Sequence, residues 1–178
     1  MKEYTYQGKH YRRSGAMWVD DNNMVVPVAL QSALNALAFA QTDISTLSYA
    51  EAKAEGDKCK ASESYSYAIQ YYEQAFLVAE TYMQTSVLLP RITSSYRKLH
   101  RPEKVIEILA KAKKAYGERI INEALLTSAA AAYCDMGQPE NALKCCNYAY
   151  AKTKNKKQGA SGELLNVYER AKRMMELK

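Results

Sequence analysis

A repeating pattern of large and small side chains runs through the middle of the chain. In each unit one position is followed, nine and sixteen residues later, by small or short apolar residues, and successive units are 37 residues apart. Two helices can pack closely only where one of them presents a small side chain, so this spacing predicts three packed helix pairs. The three sets are Cys59, Ala68 and Ala75; Tyr96, Val105 and Ala112; and Tyr133, Ala142 and Ala149.

Capping and turn residues predict where these helices begin and end. Ser48 followed by Glu51 is a capping box, which predicts a first helix over about 49–61. The second helix of that pair is predicted over about 65–81. Pro102 and Pro139 are also 37 residues apart and predict the starts of the other two second helices. Pro90 predicts that the first helix of the second pair starts late or is kinked near its N-terminus.

Residues 1–26 do not have a helical pattern. Tyrosines alternate with polar residues on either side of Gly8-Lys9, which predicts a β-hairpin with its turn at these two residues. A second turn is predicted at Asp20-Asp21-Asn22-Asn23. So small a flap must pack on helices to persist, and Trp18 then acts either as its anchor or as an aromatic lid over a ligand groove.

The segments on either side of the repeats are also predicted to be helical. Residues 27–47 contain a helix opened by Pro27, which we interpret as a cap or a partial repeat because Gln31 occupies the position where a small residue is expected. Residues 153–178 begin as a basic linker and end in a capping helix that covers the last apolar side of the array. Its apolar face consists of Leu164, Tyr168, Ala171 and Met175.

Composition and charge narrow the range of functions. The net charge is +6 and the pI about 9.0, but acidic and basic residues are interleaved, which argues against nucleic acid as the main partner. No signal peptide, membrane-length apolar run or catalytic motif is present, so we expect a cytoplasmic protein without enzyme activity, cofactor or metal. Four cysteines lack Cys-x-x-Cys spacing and are interpreted as reduced thiols, although Cys145-Cys146 leaves a vicinal disulfide or a soft metal open.

The repeat resembles the tetratricopeptide repeat (TPR) over about residues 48–152. Gly56 fits the small residue that this family uses for close approach of the partner helix. The resemblance implies an all-α fold, an α-solenoid in which antiparallel helix pairs form a right-handed superhelix, here with the N-terminal flap and a C-terminal cap. The usual TPR period is 34, so the period of 37 predicts second helices, or loops after them, that are about one turn longer.

The resemblance also implies a partner-binding groove, because the first helix of each TPR pair lines the concave surface. Cations outnumber carboxylates in the first two repeats, so we expect the groove to bind an acidic segment of a protein or peptide partner. The implied groove residues are Lys53, Asp57 and Lys60; Ser94, Arg97 and Lys98; and Thr127, Ala131, Cys134 and Asp135.

The leading hypothesis is therefore a non-catalytic adaptor or scaffold that binds a partner protein. A nucleic-acid-associated protein is one alternative, and a structural subunit that assembles through an open end of the solenoid is another, so the oligomeric state stays open. Phosphate binding would use the basic C-terminal residues Lys152, Lys154, Lys156, Lys157, Arg170, Lys172 and Arg173.

Overall fold

The computed structural model describes residues 3–153 and 159–177. Helices dominate the described residues, and one small sheet lies at the N-terminus. The chain divides into two compact units, Met1–Glu80 and Thr81–Lys178. The strands are β1 (Glu3–Tyr6), β2 (Lys9–Ser14) and β3 (Met17–Val19); the helices are α1 (Val28–Ala40), α2 (Tyr49–Ala61), α3 (Tyr65–Leu77), α4 (Tyr82–Lys98), α5 (Pro102–Tyr116), α6 (Glu123–Asp135), α7 (Pro139–Thr153) and α8 (Gly162–Glu176), with short 3₁₀ turns at Ile44–Thr46 and Gly117–Ile120.

The first unit confirms the predicted helix pair. The Ser48 hydroxyl accepts from the backbone N–H of Glu51, and the Glu51 carboxylate accepts from the backbone N–H of Ser48 at 3.0 Å, so α2 begins at Tyr49 as expected. The partner helix α3 ends at Leu77, one turn before the predicted end. Gly56 permits close contact between the two helices, because a Cβ at this position would lie 2.5 Å from the ring of the buried Tyr72.

The N-terminal flap is a three-stranded antiparallel sheet in the order β1-β2-β3. The predicted hairpin is confirmed, but its turn is one residue earlier than predicted: Tyr6 pairs with Lys9, and Gln7 and Gly8 both have positive φ angles of 50° and 75°. Two consecutive positive φ values give the tight turn whose twist matches that of the flanking strands. The second predicted turn is present, with the Asp20 carboxylate accepting from the N–H of Met24 at 2.9 Å.

Trp18 anchors the flap to α1. Its side chain is fully buried, its indole Nε1–H donates to Asn35 Oδ1 at 2.8 Å, and its backbone N–H donates to Gln31 Oε1 at 2.8 Å. Gln31 Nε2 in turn donates to the carbonyl oxygens of Trp18 and Val26. The anchor interpretation is therefore confirmed, and no exposed indole is left to act as a lid. Gln31 breaks the repeat pattern because it hydrogen-bonds the flap.

A buried polar cluster continues this anchor into the helix pair. Asn35 Nδ2 donates to the hydroxyls of Ser62 at 2.7 Å and Ser64 at 2.9 Å, at the turn between α2 and α3. Arg13 also donates to Asn35 Oδ1, and its guanidinium carbon lies 4.6 Å from the centre of the Trp18 ring. Strand β2, α1 and the α2–α3 turn are thus joined through one side-chain amide.

The second unit contains the pairs α4–α5 and α6–α7, with α8 packed on both α6 and α7. Pro102 and Pro139 are the first residues of α5 and α7, as predicted. The expected late start of α4 is wrong. Thr81 and Gln84 form a capping box, so α4 begins at Tyr82 and contains Pro90 in its interior.

The extra residues of the 37-residue period lie after the second small position, as expected, but they take two forms. Helices α2 and α6 begin ten residues before Cys59 and Tyr133, whereas α4 begins fourteen residues before Tyr96. In the first interval the additional turn therefore belongs to α4, which is a first helix, so the expected longer second helix or following loop is wrong there. In the second interval α5 is followed by the 3₁₀ turn Gly117–Ile120.

The C-terminal capping helix is confirmed, with a different apolar face. Leu164 and Ala171 are buried as predicted, and Val167 is buried with them. Met175 is exposed. Tyr168 is half-buried and packs edge to face on Tyr150 with ring centres 5.6 Å apart.

Candidate partner-binding surface

On the first unit, α2 presents a polar face made of Lys53, Asp57 and Lys60. All three side chains are half-buried. Lys53 Nζ lies 2.7 Å from Asp57 Oδ2, and the hydroxyl of the buried Tyr72 donates to Asp57 Oδ1 at 2.8 Å. Asp57 is thus held in place by two contacts, and its charge is balanced by Lys53. The predicted positions do share one face of the helix.

On the second unit, α4 presents Ser94, Arg97 and Lys98. The Ser94 hydroxyl donates to the carbonyl oxygen of Arg91 at 3.0 Å, and Lys98 is exposed. Arg97 is already engaged within the unit: its Nε lies 3.4 Å from Asp135 Oδ2 and its Nη1 lies 3.9 Å from Glu163 Oε1. Sequence reasoning treated Arg97 as available to a partner and missed both of these ion pairs.

The predicted groove residues of the third repeat are largely covered. Thr127, Ala131 and Cys134 are only 2%, 0% and 2% exposed. They cannot contact a partner in this conformation, so their assignment to an open groove is corrected. The reason is the position of α8, which packs along α6.

Polar contacts hold α8 against both ends of α6. The backbone N–H of Ser161 donates to Glu123 Oε1 at 2.9 Å. At the other end, Arg170 Nη1 donates to Asp135 Oδ1 at 2.7 Å. Asp135 thus lies between Arg97 and Arg170, so α4, α6 and α8 of the second unit are linked by one carboxylate.

Comparison with solved structures supports the fold of the helix pairs. No protein-family model matches the chain, and no curated protein matches its sequence. Among solved structures, it is similar to the Sgt2 TPR domain from Aspergillus fumigatus, with a TM-score of 0.59 and 23% sequence identity over 78% of this chain and 83% of that chain.

The fold is TPR-like. At this level of identity the similarity concerns the fold, and the partner of the TPR-like pairs has to be inferred from their surfaces.

The cysteines of the TPR-like pairs are held in apolar surroundings. Cys59, Cys134 and Cys146 are buried and Cys145 is half-buried, and all four are free thiols. Burial raises the pKa of the Cys59 and Cys146 thiols to about 11 and also raises the pKa values of Cys134 and Cys145. Because the thiolate is the reactive form, burial lowers the reactivity of each group. Within the described residues, no group of three or more His, Cys, Asp or Glu side chains is placed to hold a metal ion.

We expect native protein prepared without oxidant to contain four reduced cysteines. At pH 8, iodoacetamide should modify Cys59 and Cys146 much more slowly than in denaturant, where a cysteine has a pKa of about 8.5. Intact mass before and after alkylation, with peptide mapping, gives the four rates. An intact mass lower by two protons than that of the fully reduced chain would contradict this expectation, and so would fast modification of Cys59 in the native state.

The basic residues proposed for phosphate binding make contacts of their own. Arg170 pairs with Asp135 at 2.7 Å. Lys152 Nζ lies 5.1 Å from the centre of the Tyr148 ring, and Lys172 Nζ lies 5.3 Å from that of Tyr168. Lys154, Lys156 and Lys157 lie outside the described residues. Within the described part of the chain, no observation favours the nucleic-acid alternative. Among the described helices, none combines the length and apolar character needed to cross a membrane.

Proposed function

We propose that this protein is a non-catalytic interaction module that binds an acidic peptide segment of a partner protein on the exposed first-helix faces of its TPR-like pairs. One observation supports this proposal most directly. On α2, the face that contacts α3 contains the buried residues Gly56 and Cys59, while Lys53, Asp57 and Lys60 remain accessible to solvent. A fixed helix with one accessible charged face is suited to side-chain recognition.

The charges on these faces favour an acidic partner. Lys53, Asp57 and Lys60 together give the α2 face one net positive charge. On α4, Arg97 shares the Asp135 carboxylate with Arg170, and Lys98 adds a further exposed cation. Complementary charge contributes to association rate and specificity more than to affinity alone. We therefore place the partner contacts at Lys53, Asp57, Lys60, Ser94, Lys98 and the solvent side of Arg97.

Charge reversal of Lys60 or Lys98 should weaken partner binding. Each lost charge-assisted contact is worth about 1.5–3 kcal/mol, so each variant, Lys60→Glu or Lys98→Glu, should bind about tenfold or more weakly. Reversal of Arg97 is a poorer test, because it would place a third carboxylate beside Asp135 and Glu163 and would loosen α8. The partner would be captured from native lysate, identified by mass spectrometry and titrated against each variant.

A matched control separates local contacts from net charge. Lys111→Glu makes the same charge change on the exposed side of α5, a second helix, and should bind with wild-type affinity. Circular dichroism checks that each variant is folded. Equal affinity of Lys60→Glu, Lys98→Glu and wild type would show that these faces do not bind the partner. Retention on heparin at near-physiological salt would support the nucleic-acid alternative instead.

A further inference from the structure

A second open surface lies within the second unit, between the second helices α5 and α7. Two cavities of about 260 and 450 Å³ open there, and both are lined by Ile106, Ala110 and Tyr133. They therefore form one continuous groove, called here the α5–α7 groove. Helix α5 lines it from Glu103 to Lys113, which is eleven residues, or about 15 Å of helix at a rise of 1.5 Å per residue.

The floor and walls of this groove are apolar and only partly covered. Leu126 and Ala129 of α6 are buried beneath it, whereas Ile106, Tyr133 and Cys145 are half-buried at its surface. Ala110 is exposed on the α5 wall, and Tyr148 is 42% exposed on the α7 wall. Open pockets in which half-buried apolar side chains surround a small exposed residue are suited to receive apolar anchors from a partner.

The groove is separate from the first-helix faces discussed above. Along α6, Thr127 and Cys134 belong to the side covered by α8, whereas Leu126, Ala129 and Tyr133 line the α5–α7 groove. Helix α8 contributes no residue to the lining of either cavity. Occupation of the groove therefore does not require α8 to move.

Charge is distributed unevenly along the groove. Glu103 and Glu107 line one end, where Gln138, the residue before α7, also lies. Lys104 Nζ lies 2.7 Å from Glu107 Oε2, so these three charged side chains carry one net negative charge. Lys113 lines the other end and pairs with Glu118, which also accepts a hydrogen bond from the Tyr148 hydroxyl at 3.2 Å. Lys152 adds a second cation there, 5.1 Å from the centre of the Tyr148 ring. One end is thus acidic and the other has a net positive charge.

The walls of the groove determine whether it can bind an extended strand or a helix. They consist of α5 and α7 over α6, and the backbone groups of helix interiors are already hydrogen-bonded within each helix. An extended strand would find no free edge to pair with, whereas a helix can bury side chains spaced by three, four or seven residues without backbone contacts. Three turns of α5 give room for two such anchors.

We propose that the α5–α7 groove binds an amphipathic helix of a partner protein, which inserts two bulky apolar side chains and places basic residues beside Glu103 and Glu107 and acidic residues beside Lys113 and Lys152. The bound helix runs parallel to α5, since the positive end of its dipole then lies at the acidic end of the groove.

The probe for this proposal is a library of helix-forming peptides with one randomised face, selected by display against the full chain. Enriched peptides should share two bulky apolar residues at i and i+4 or i and i+7, with basic residues towards the N-terminus and acidic residues towards the C-terminus. They should also slow alkylation of Cys145, because this side chain lines the groove.

Two variants of one helix form the matched pair. Ala110→Trp fills the groove from an exposed position and should weaken the selected peptides about tenfold or more, because a bulky side chain then occupies the site of an anchor. Ala115→Trp places the same side chain at an exposed position of α5 outside the groove and should bind like wild type. Glu103→Lys should weaken peptides with a basic N-terminal end by about three- to fivefold, the size of a rim ion pair.

Several results would overturn the proposal. The first is that no peptide is enriched. The second is that the peptides bind wild type and Ala110→Trp with equal affinity while circular dichroism shows both proteins to be folded. The third is that binding is lost in Lys60→Glu instead, which would place the peptides on the first-helix face. A dimer seen by light scattering and abolished by Ala110→Trp would show that a second copy of this chain occupies the groove.

Discussion

Replacement of Trp18 by alanine is expected to lower the unfolding free energy of the first unit by about 3–5 kcal/mol, the range for removal of a large buried aromatic side chain. The indole is fully buried in a cluster with Tyr4, Leu34 and neighbouring apolar side chains, and the Tyr4 ring meets it edge on at 5.1 Å. Its loss leaves a cavity under the flap and removes the Nε1–H donor from Asn35. The sheet is then held on α1 mainly by Gln31, which hydrogen-bonds the backbone of residue 18 and of Val26, and by the bond from Arg13 to Asn35.

The measurement is denaturant unfolding followed by circular dichroism, with hydrogen exchange by mass spectrometry to show which segment opens. Exchange should increase over residues 3–40 and change little over α6 and α7. Trp18→Phe serves as the control, because it keeps an aromatic ring but not the hydrogen bond to Asn35, and it should lie between alanine and wild type. A loss below about 1 kcal/mol for Trp18→Ala, within the range of ordinary surface changes, would show that the indole is not the anchor.

Ala142→Phe is expected to destabilise the second unit by about 1–3 kcal/mol or more, because a phenyl ring has to be inserted into a closed helix contact. Ala142 has no exposed surface and lies on the side of α7 that packs on α6. The surrounding residues Ala130 and Cys146 are also fully buried, so the ring can be accommodated only by moving the helices apart.

Ala151→Phe is the matched control, because Ala151 is exposed on the same helix and the added ring remains in solvent. Thermal and denaturant unfolding of the two variants give the difference directly. Equal stability of the two phenylalanine variants would mean that the register deduced from the 37-residue spacing does not describe the α6–α7 contact.

The flap shows which features a local sequence pattern predicts and which it does not. Alternating tyrosines predict two strands, and strands β1 and β2 are present with Tyr4 paired to Tyr11. The turn was misplaced by one residue because Gln7 takes a positive φ that a glutamine rarely adopts. The pairing of the two strands sets that conformation, and no single residue type in the turn predicts it.

Helix α4 shows the opposite error, because a residue that usually interrupts helices does not set where this helix begins. Pro90 lacks a backbone N–H and predicts a late start or a kink near the N-terminus of the helix, yet α4 begins two turns before it. Thr81 and Gln84 cap the helix there, and Leu88 and Leu89 are fully buried. Burial of these side chains and a capping box stabilise the first turns enough to tolerate the missing hydrogen bond.

Helix spacing predicts which side chains share a face, but not whether that face is open. Lys53, Asp57 and Lys60 lie on one accessible face of α2 because residues three and four apart are neighbours on a helix. Thr127, Ala131 and Cys134 follow the same spacing on α6 but are buried. Their exposure depends on α8, which lies more than 25 residues further along the chain.

By itself, the sequence determined the helix pairs, the cap at Ser48, the helix starts at Pro102 and Pro139 and the existence of the flap, because each depends on side-chain size and backbone preference over a few turns. Only the tertiary structure decided which polar faces stay open, that Gln31 and Asn35 bind the flap through Trp18, and that α5 and α7 flank an apolar groove. These features depend on which helix faces another across long separations in the chain. Hydrophobic burial is not directional, so residue spacing within one helix does not specify the helix that covers it.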